Sequence, residues 1–334
     1  MRRVCFVVGH DDSYDSPSDT PEAYWRVALP AQHLGAQAAV LGIPGAEKRA
    51  LEAEVVWIHQ PTSFSAAALA EEARQQGRAV VIDFSEDPWA RGEIGRPYAP
   101  ARLAAAERAL EAATLIVVAH ERLAPVFHGF GPRVHVVRPV IPLGAGWEVQ
   151  EPSLPPRLVW WCDGRQRRGF EDVAPGIRRA MEATAIRVAH VQFAHQQPLM
   201  SGIAGQEEAK ERAGRLSSYF ANDRDLSAEA NMHIFRGILA GAALSLECYP
   251  ASSYRESVSD LAILRAAALG VPTLTTRLHC PEGALSAAPE EWADTILSIL
   301  EDPALRQDLS QAARAWAETR TSYSSYHATI EEVL

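Results

Sequence analysis

Short apolar runs rich in valine and isoleucine alternate along the chain with longer stretches whose apolar positions recur at helical spacing. Because the apolar runs do not alternate with polar residues, they are typical of strands buried on both faces of a parallel sheet. The first half is therefore predicted to form a Rossmann-like α/β domain. The predicted strands are 4–8, 38–41, 55–58, 79–82, 115–118 and 134–137, and the helices between them include 22–34, 66–75 and 101–112.

A proline-rich break at 138–156 has neither strand nor helix spacing and separates the two halves of the chain. The same alternation begins again after it, so the second half is predicted to be another doubly wound domain. Ligands bind such sheets at the carboxyl ends of the strands, which predicts a central cleft that both domains face. The predicted strands are 158–161, 187–191, 243–246 and 273–275, and the helices are 172–183, 231–239, 260–268, 290–300 and 303–317.

Composition and charge narrow the class of protein. The chain has 334 residues, 47% hydrophobic and 22% charged, which fits two globular domains and excludes a mostly disordered or collagen-like chain. No window holds about 18 consecutive apolar residues, and the first residues become polar too soon for a signal peptide, so we expect a cytoplasmic protein. The net charge of −10 argues against a large non-specific nucleic-acid surface. Among 32 basic residues only Lys48 and Lys210 are lysines, so an anion site must use arginine or backbone amides.

Five segments, in order along nearly the whole chain, carry a family resemblance: 24–30 (YWRVALP), 54–60 (EVVWIHQ), 80–89 (VVIDFSEDPW), 138–142 (RPVIP) and 261–273 (LAILRAAALGVPT). Together they resemble the GT-B glycosyltransferases, in particular the family 4-like branch of short bacterial and phage proteins. The resemblance implies an acceptor domain over 1–140 and a nucleotide-sugar donor domain over 157–314. It also implies a C-terminal helix within 315–334 that returns to the first domain.

The same resemblance implies transfer of a sugar from a UDP- or GDP-linked donor to an acceptor hydroxyl, with retention of configuration and with no metal or other cofactor. The family commonly has two glutamates at positions that match Ser257 and Arg265, and often a lysine where Val258 stands. Glu256 lies one residue from the first of these positions and is a candidate catalytic carboxylate. Arg265 either replaces the ribose-binding glutamate of the family or is a surface arginine paired with Asp260 or Glu256.

A glycine- and arginine-rich loop, 163–172 (DGRQRRGFED), follows the first predicted strand of the second domain. It places Arg165 and Arg168 between Gly164 and Gly169. Arginine can contact a phosphate through two N–H groups, and glycine permits close backbone approach. The pattern is similar to the diphosphate-binding loop of the family, and a solvated cationic turn is the alternative.

The segment before the predicted helix 260–268 is a second donor-binding candidate. Ser257 or Ser259 can cap that helix, and the free amides there, with that of Val258, would face the diphosphate. A helix cap without a ligand is the simpler interpretation of the same residues.

Two strand ends of the first domain carry catalytic candidates. His59 follows the strand 55–58, and the family has a histidine at this place near the donor sugar; a structural role is the alternative. Asp87 lies in a cluster with Asp83 and Glu86 that could take a proton from an acceptor hydroxyl or bind a divalent ion. The cluster could equally cap the next helix and hold Arg91.

Acceptor-binding candidates lie on two loops of the first domain. His10, Asp11 and Asp12 are on the long polar loop after the first strand, and His120 follows the strand 115–118. The long loop could instead be only a mobile connection.

Other chemistries find no support in the sequence. The four cysteines form no CxxC pair, and the histidines have no spacing typical of zinc, so no metal site is predicted. Neither a Gly-x-Ser-x-Gly sequence nor a Walker sequence is present. Three hypotheses follow in this order: a glycosyltransferase acting on a glycan, lipid or small molecule; a phage-type transferase acting on a hydroxylated DNA base; and a degenerate member that binds a sugar nucleotide without turnover.

Overall fold

The structure is a computed structural model that describes residues 3–9, 23–95, 97–131, 133–144, 146–162, 166–192 and 232–334. By internal contacts the chain divides into two compact units. The first unit comprises Met1–Pro142, Glu256–Leu261 and Arg320–Leu334, and the second comprises Leu143–Arg255 and Ala262–Thr319. The segment Glu256–Leu261 was expected in the second domain, but it groups with the first unit.

The first unit is built on a parallel sheet that has six strands among the described residues, in the order β2-β1-β3-β4-β5-β6. This order, with helices between successive strands, is the Rossmann-like arrangement that the sequence predicts. The strands are β1 Val4–Val8, β2 Gln37–Val40, β3 Val55–His59, β4 Ala79–Phe84, β5 Leu115–Val118 and β6 Val134–Val136. The helices are α1 Leu29–Leu34, α2 Ala46–Leu51, α3 Phe64–Gln75, α4 Pro100–Ala112, α5 Ala124–Phe127 and, near the C-terminus, α12 Ser324–Val333.

The two faces of this sheet differ because side chains alternate along each strand. On one face the odd positions of β1, such as Cys5 and Val7, pack with the alanine-rich sides of α2, α3 and α4 in a large apolar core. On the other face Trp57 stacks on Tyr326 of α12 at a ring-centroid distance of 5.4 Å, and Phe6 packs against the same tyrosine in a tilted arrangement at 6.4 Å. His59 and Asp83 belong to the second face, since each lies two residues beyond Trp57 or its register partner Val81.

The second unit has a parallel sheet with five described strands in the order β11-β10-β9-β7-β8. Helices cover both faces of this sheet. The helices that contain Phe170 and Trp292 pack on one face, and the helices that contain Leu239 and Ala266 pack on the other. The strands are β7 Arg157–Cys162, β8 Arg187–Gln192, β9 Leu244–Glu247, β10 Thr273–Thr275 and β11 Ala284–Ser286. The helices are α6 Arg167–Ala183, α7 Met232–Ala240, α8 Ser253–Ser257, α9 Leu261–Ala268, α10 Trp292–Glu301 and α11 Pro303–Glu318.

Two predicted helices differ from the observed ones. The helix predicted at 22–34 is a π-helical stretch, Tyr24–Ala28, in which Leu29 N–H donates to Tyr24 O, followed by α1. The helix predicted to begin at 172 begins five residues earlier, because Phe170 N–H already donates to the Gln166 carbonyl. Gly169 and Pro175 both lie inside it.

In the part of the chain that the structure describes, no helix is both long and apolar enough to span a membrane.

Candidate functional site

A buried ion cluster lies at the carboxyl ends of β3 and β4. His59 and Asp83 end up side by side because they are register partners on adjacent parallel strands. The His59 Nδ1 atom lies 3.0 Å from Asp83 Oδ2, and both side chains are fully buried. A polar pair this deep in a sheet is stable only when its hydrogen-bonding atoms are satisfied.

Arg26 completes this cluster from the π-helical stretch. Its Nε donates to Asp83 Oδ2 at 3.1 Å, its Nη2 donates to Asp83 Oδ1, and its Nη1 donates to the Val137 carbonyl at 2.6 Å. Burial by itself raises the pKa of Asp83, but the Arg26 charge and the hydrogen bonds from Arg26 and His59 lower it to about 2. Asp83 is therefore a carboxylate at neutral pH, and we name Arg26, Asp83 and His59 the buried triad.

The backbone after His59 turns in a way that few residues allow. Gln60 adopts a left-handed φ of 51°, which is uncommon for a residue with a Cβ atom and is typical of strained functional turns. Its N–H donates to the Asp83 carbonyl at 2.8 Å, which fastens the turn to β4. Gly9, at the end of β1, packs against the same turn, where an added Cβ would lie 2.9 Å from Pro61 Cα.

Three buried polar atoms of this turn lack a hydrogen-bond partner among the described residues. They are Nε2 of His59, Oε1 of Gln60 and Oγ1 of Thr62. Ser63, by contrast, caps α3, since its Oγ accepts from Ala66 N–H at 3.1 Å. The segment between β3 and α3 thus holds a group of three buried polar atoms without a partner among the described residues, and a polar ligand would be expected at such a group.

The three carboxylates that the sequence groups into one cluster, Asp83, Glu86 and Asp87, have different partners in the structure. Asp83 belongs to the buried triad, and Glu86 Oε1 pairs with Arg91 at 3.2 Å. Asp87 Oδ1 accepts from the N–H groups of Trp89 and Ala90 at 2.9 and 3.1 Å. Burial raises the pKa of Asp87, and these two backbone hydrogen bonds oppose that rise. Among the described residues no group of three His, Cys, Asp or Glu side chains is arranged to hold a metal ion.

The two observed hydrogen bonds give Asp87 a capping role that can be tested against its predicted catalytic role. Asp87→Asn is expected to preserve the free energy of unfolding and the turnover, because an amide oxygen can accept the same two bonds. Asp87→Ala should cost about 1 kcal/mol of stability. Denaturant unfolding and a turnover assay of both variants decide the matter, since loss of turnover in the asparagine variant would instead indicate a catalytic carboxylate.

Within the first unit, His120 contacts the predicted donor-binding segment, Ser257–Ser259. Its Nε2 lies 2.9 Å from the Ser257 carbonyl oxygen. Arg122 adds two contacts: its Nε donates to the Glu256 carbonyl and its Nη2 to Asp260 Oδ1, both at 3.0 Å. The segment is therefore held at the end of β5, and its Ser257 is buried.

The same segment leads into α9. Ser259 Oγ accepts weakly from Leu261 N–H at 3.4 Å at the start of that helix, and Val258 and Ser259 are buried. Arg265, inside α9, is only 1% exposed. The interpretation of Arg265 as a surface residue is therefore wrong, and Asp260, one of its suggested partners, pairs with Arg122.

In the second unit the start of α6 is fastened to the end of β9. Gln166 Oε1 accepts from Cys248 N–H at 3.0 Å, and its Nε2 lies 3.4 Å from the Tyr249 hydroxyl. A Cβ atom on Gly169 would lie 2.5 Å from the Tyr249 carbonyl carbon, so this glycine is required by the close approach of helix and strand. Arg168, one residue earlier, is exposed.

Sequence reasoning missed two buried charged residues of the second unit. Glu247 ends β9, where its Oε2 accepts from Thr275 Oγ1 at 2.8 Å, and Arg277 lies 3.7 Å from Oε1 of the same carboxylate. A charged residue just after the end of a predicted strand, as in LSLE (244–247) and TLTTR (273–277), is the signal that would have found them.

Five predicted site residues fall outside the described residues: His10, Asp11, Asp12, Gly164 and Arg165. Their roles stay predictions, as do those of Glu256, Arg168 and the other candidates.

Comparison with known proteins identifies solved structures with a similar fold. No family model and no curated protein matches the chain by sequence. Among solved structures, the trehalose-6-phosphate synthase OtsA has a TM-score of 0.65 at 10% identity, over 99% of this chain and 98% of that one. An α-glucosyltransferase (AGT) in complex with UDP has a TM-score of 0.64 at 10% identity, over the full length of both chains.

A third structure agrees with these two. The α,α-trehalose-6-phosphate synthase from Burkholderia multivorans has a TM-score of 0.62 at 10% identity, over 100% of this chain and 96% of that one. Each match spans both units, and each unit has the parallel, helix-covered sheet described above. At this level of identity the likeness establishes a fold, and that fold is GT-B.

Proposed function

We propose that the protein is a glycosyltransferase that moves a sugar from a nucleotide-sugar donor to an acceptor hydroxyl. The observation that carries the proposal is the buried His59 imidazole at the carboxyl end of β3, whose Nε2 has no partner among the described residues. Carboxyl ends of parallel strands are where α/β folds bind ligands. A solved transferase with UDP bound shares the fold over the full length of both chains, which supports a nucleotide-linked donor, UDP- or GDP-linked.

The proposed donor contacts lie in the second unit. Arg168 is exposed near the amino end of α6, a 17-residue helix whose first turn presents free amide groups. Arginine and helix amides can neutralise the departing diphosphate without a metal ion. We therefore extend the proposal to transfer that persists in EDTA, with Gly164 and Arg165, which precede this helix in the sequence, as further donor contacts, and with retention of anomeric configuration.

A screen of nucleotide sugars by thermal shift tests the proposal without knowledge of the acceptor. A donor present at about 100 times its Kd should add about 2.7 kcal/mol to the stability of the folded protein. A donor that binds is then incubated with glycan, small-molecule and hydroxymethylated-DNA acceptors, with and without EDTA, and nucleoside diphosphate release is measured. If no nucleotide sugar binds, the proposal is wrong; binding without release for every acceptor supports the degenerate, non-catalytic alternative.

Arg168 gives a sharper test on the same donor. Arg168→Ala is expected to raise the donor Kd about tenfold or more, because one charge-assisted hydrogen bond contributes about 1.5–3 kcal/mol. The matched control is Arg178→Ala, which removes another exposed arginine ten positions along the same helix. Calorimetric titration of both variants measures the difference. Equal affinities would show that Arg168 is only a solvated surface residue.

A further inference from the structure

We propose that Asp83 and Arg26 are positioning residues that hold His59 as the Nδ1-protonated tautomer, so that its Nε2 accepts a hydrogen bond from a sugar hydroxyl. The identity of the ligand as a sugar rests on the proposed function. The tautomer itself follows from the contacts of the buried triad alone.

The first step is the direction of the hydrogen bonds. Arginine can only donate, and Arg26 donates to both oxygens of Asp83. Asp83 is therefore an ionised acceptor at both oxygens. Its Oδ2 also faces His59 Nδ1 at 3.0 Å, and an acceptor-only oxygen at that distance requires the hydrogen to be on Nδ1.

The second step is the charge of the imidazole. The Arg26 cation and the Asp83 anion balance each other, so a neutral His59 leaves the buried triad with no net charge. A second proton on His59 would add a positive charge to a triad whose side chains are all at most 1% exposed, and desolvation of that charge is costly. The neighbouring Tyr326 cannot supply a negative charge, because burial raises the pKa of its phenol. Nε2 therefore carries a lone pair.

The third step is rigidity. His59 and Asp83 are held side by side by the parallel register of β3 and β4. Gln60 N–H donates to the Asp83 carbonyl, and Gly9 N–H donates to the His59 carbonyl, each at 2.8 Å. Arg26 is fixed from the other side by its bond to the Val137 carbonyl. The ring is thus held at Nδ1, and Nε2, which has no partner among the described residues, is the nitrogen available to a ligand.

This arrangement selects the chemistry of the ligand. A bare imidazole nitrogen binds groups that donate, such as hydroxyls, and repels the oxygen atoms of phosphate or carboxylate anions, which only accept. The hydroxyl of Thr62 and the amide of Gln60, both buried and with an unpartnered oxygen among the described residues, lie on the same turn. The group that reaches this turn is therefore expected to be the hydroxyl-bearing sugar and not the diphosphate.

Nuclear magnetic resonance of the full chain labelled with ¹³C and ¹⁵N in histidine tests the tautomer directly. The chain has 11 histidines, and the His59 signals are assigned as those that disappear in His59→Gln. We expect a neutral ring with the hydrogen on Nδ1 at about pH 7. His135 is an internal reference, because its Nδ1 also lies near a carboxylate, Glu332 at 3.2 Å, but in a solvent-accessible pair. A His59 signal typical of the Nε2-protonated tautomer or of imidazolium would overturn the proposal.

Arg26→Met combined with Asp83→Leu separates positioning from general structural support. Oδ2 of Asp83 is the acceptor that Arg26 Nε and His59 Nδ1 share, and the double variant removes this acceptor together with the buried cation. His59 Nδ1–H then has no acceptor from residue 83, and the ring is expected to lose its preference for the Nδ1-protonated tautomer. Full retention of that tautomer in a folded double variant would contradict the role of Asp83. If that variant does not fold, the wild-type spectrum still decides the proposal.

A kinetic measurement links the tautomer to function. With a donor that the wild type turns over, the Arg26→Met/Asp83→Leu double variant should lower kcat by roughly a hundredfold, while the Kd of the free nucleoside diphosphate changes by less than about twofold. Equal weakening of nucleotide binding would indicate a general loss of structure and would count against a positioning role. If no donor is found at all, the proposed function fails, whereas the spectroscopic result on His59 stands or falls by itself.

Discussion

Arg26→Met is expected to lower the free energy of unfolding of the first unit by about 3–5 kcal/mol. The methionine side chain fills much of the same volume, but it leaves the Asp83 carboxylate buried and without its cation. Removing one partner of a buried ion pair costs more than the pair itself contributes, because the remaining charge is desolvated. Hydrogen exchange of the β3 and β4 amides, together with denaturant unfolding, measures the loss.

Two further variants distinguish this mechanism from ordinary loss of packing. Arg108→Met removes an arginine whose pair with Glu71 is as close, at 2.8 Å, but is solvent-exposed, so it should cost less than about 1 kcal/mol. Combining Arg26→Met with Asp83→Asn should recover part of the loss, since the uncompensated charge is removed. Equal losses for Arg26→Met and Arg108→Met would mean that the buried charge is not the cause.

The pH dependence of the same variant has a definite sign. In the wild type the folded-state pKa of Asp83 is about 2, below its unfolded value, so its contribution to stability is present above that unfolded value and is lost as pH falls. Without Arg26 the desolvation of Asp83 dominates and raises its folded-state pKa above the unfolded one. The difference in stability between wild type and Arg26→Met should therefore narrow from about pH 7 to about pH 4. A difference that does not change with pH would contradict this account.

The strands and the order of the helices could be predicted because strands that are buried on both faces of a parallel sheet are apolar along their whole length, and such runs are visible in the sequence. His59 was found for the same reason, since it is the first polar residue after such a run. Arg26 could not be found in this way. It lies in a predicted helix, and its partners Asp83 and Val137 are 57 and 111 residues away along the chain, so no local pattern identifies it.

The carboxylates show a second limit of sequence reasoning. Asp83, Glu86 and Asp87 are close in sequence and were grouped as one cluster, yet each has a different partner. Asp83 is still within β4, so its direction follows the alternation of the strand, whereas the other two belong to the turn after it. Nearness in sequence therefore did not predict nearness of the side-chain oxygens.

The segment Glu256–Leu261 shows a third limit. The sequence predicts a helix cap there, and a weak bond from Leu261 N–H to Ser259 fits that expectation. The contacts of this segment with His120 and Arg122 join positions more than 130 residues apart. No local pattern can report such pairs, since each partner by itself is an ordinary polar residue of a loop.

Gly169→Ala is expected to destabilise the second unit, although alanine is a better helix former than glycine. A Cβ atom at this position would lie 2.5 Å from the Tyr249 carbonyl carbon and 2.6 Å from the Cys248 carbonyl oxygen. Both are backbone atoms, which cannot move aside as a flexible side chain can, so the start of α6 must shift away from β9. We expect a net loss of about 1–3 kcal/mol, the usual cost of forcing extra atoms into a well-packed site.

The matched control is Gly237→Ala, which makes the same change inside α7, where an added Cβ would meet no atom within 4 Å. This variant should gain about 0.5–1 kcal/mol, because alanine loses less backbone entropy on folding. The shift in Gly169→Ala should also break the hydrogen bond from Cys248 N–H to Gln166 Oε1 and displace Arg168 with the helix end. Donor affinity should therefore fall in Gly169→Ala and stay unchanged in Gly237→Ala, as measured by calorimetric titration. A Gly169→Ala variant that is as stable as the control, but binds donor less well, would indicate that the glycine contacts the ligand instead of the strand.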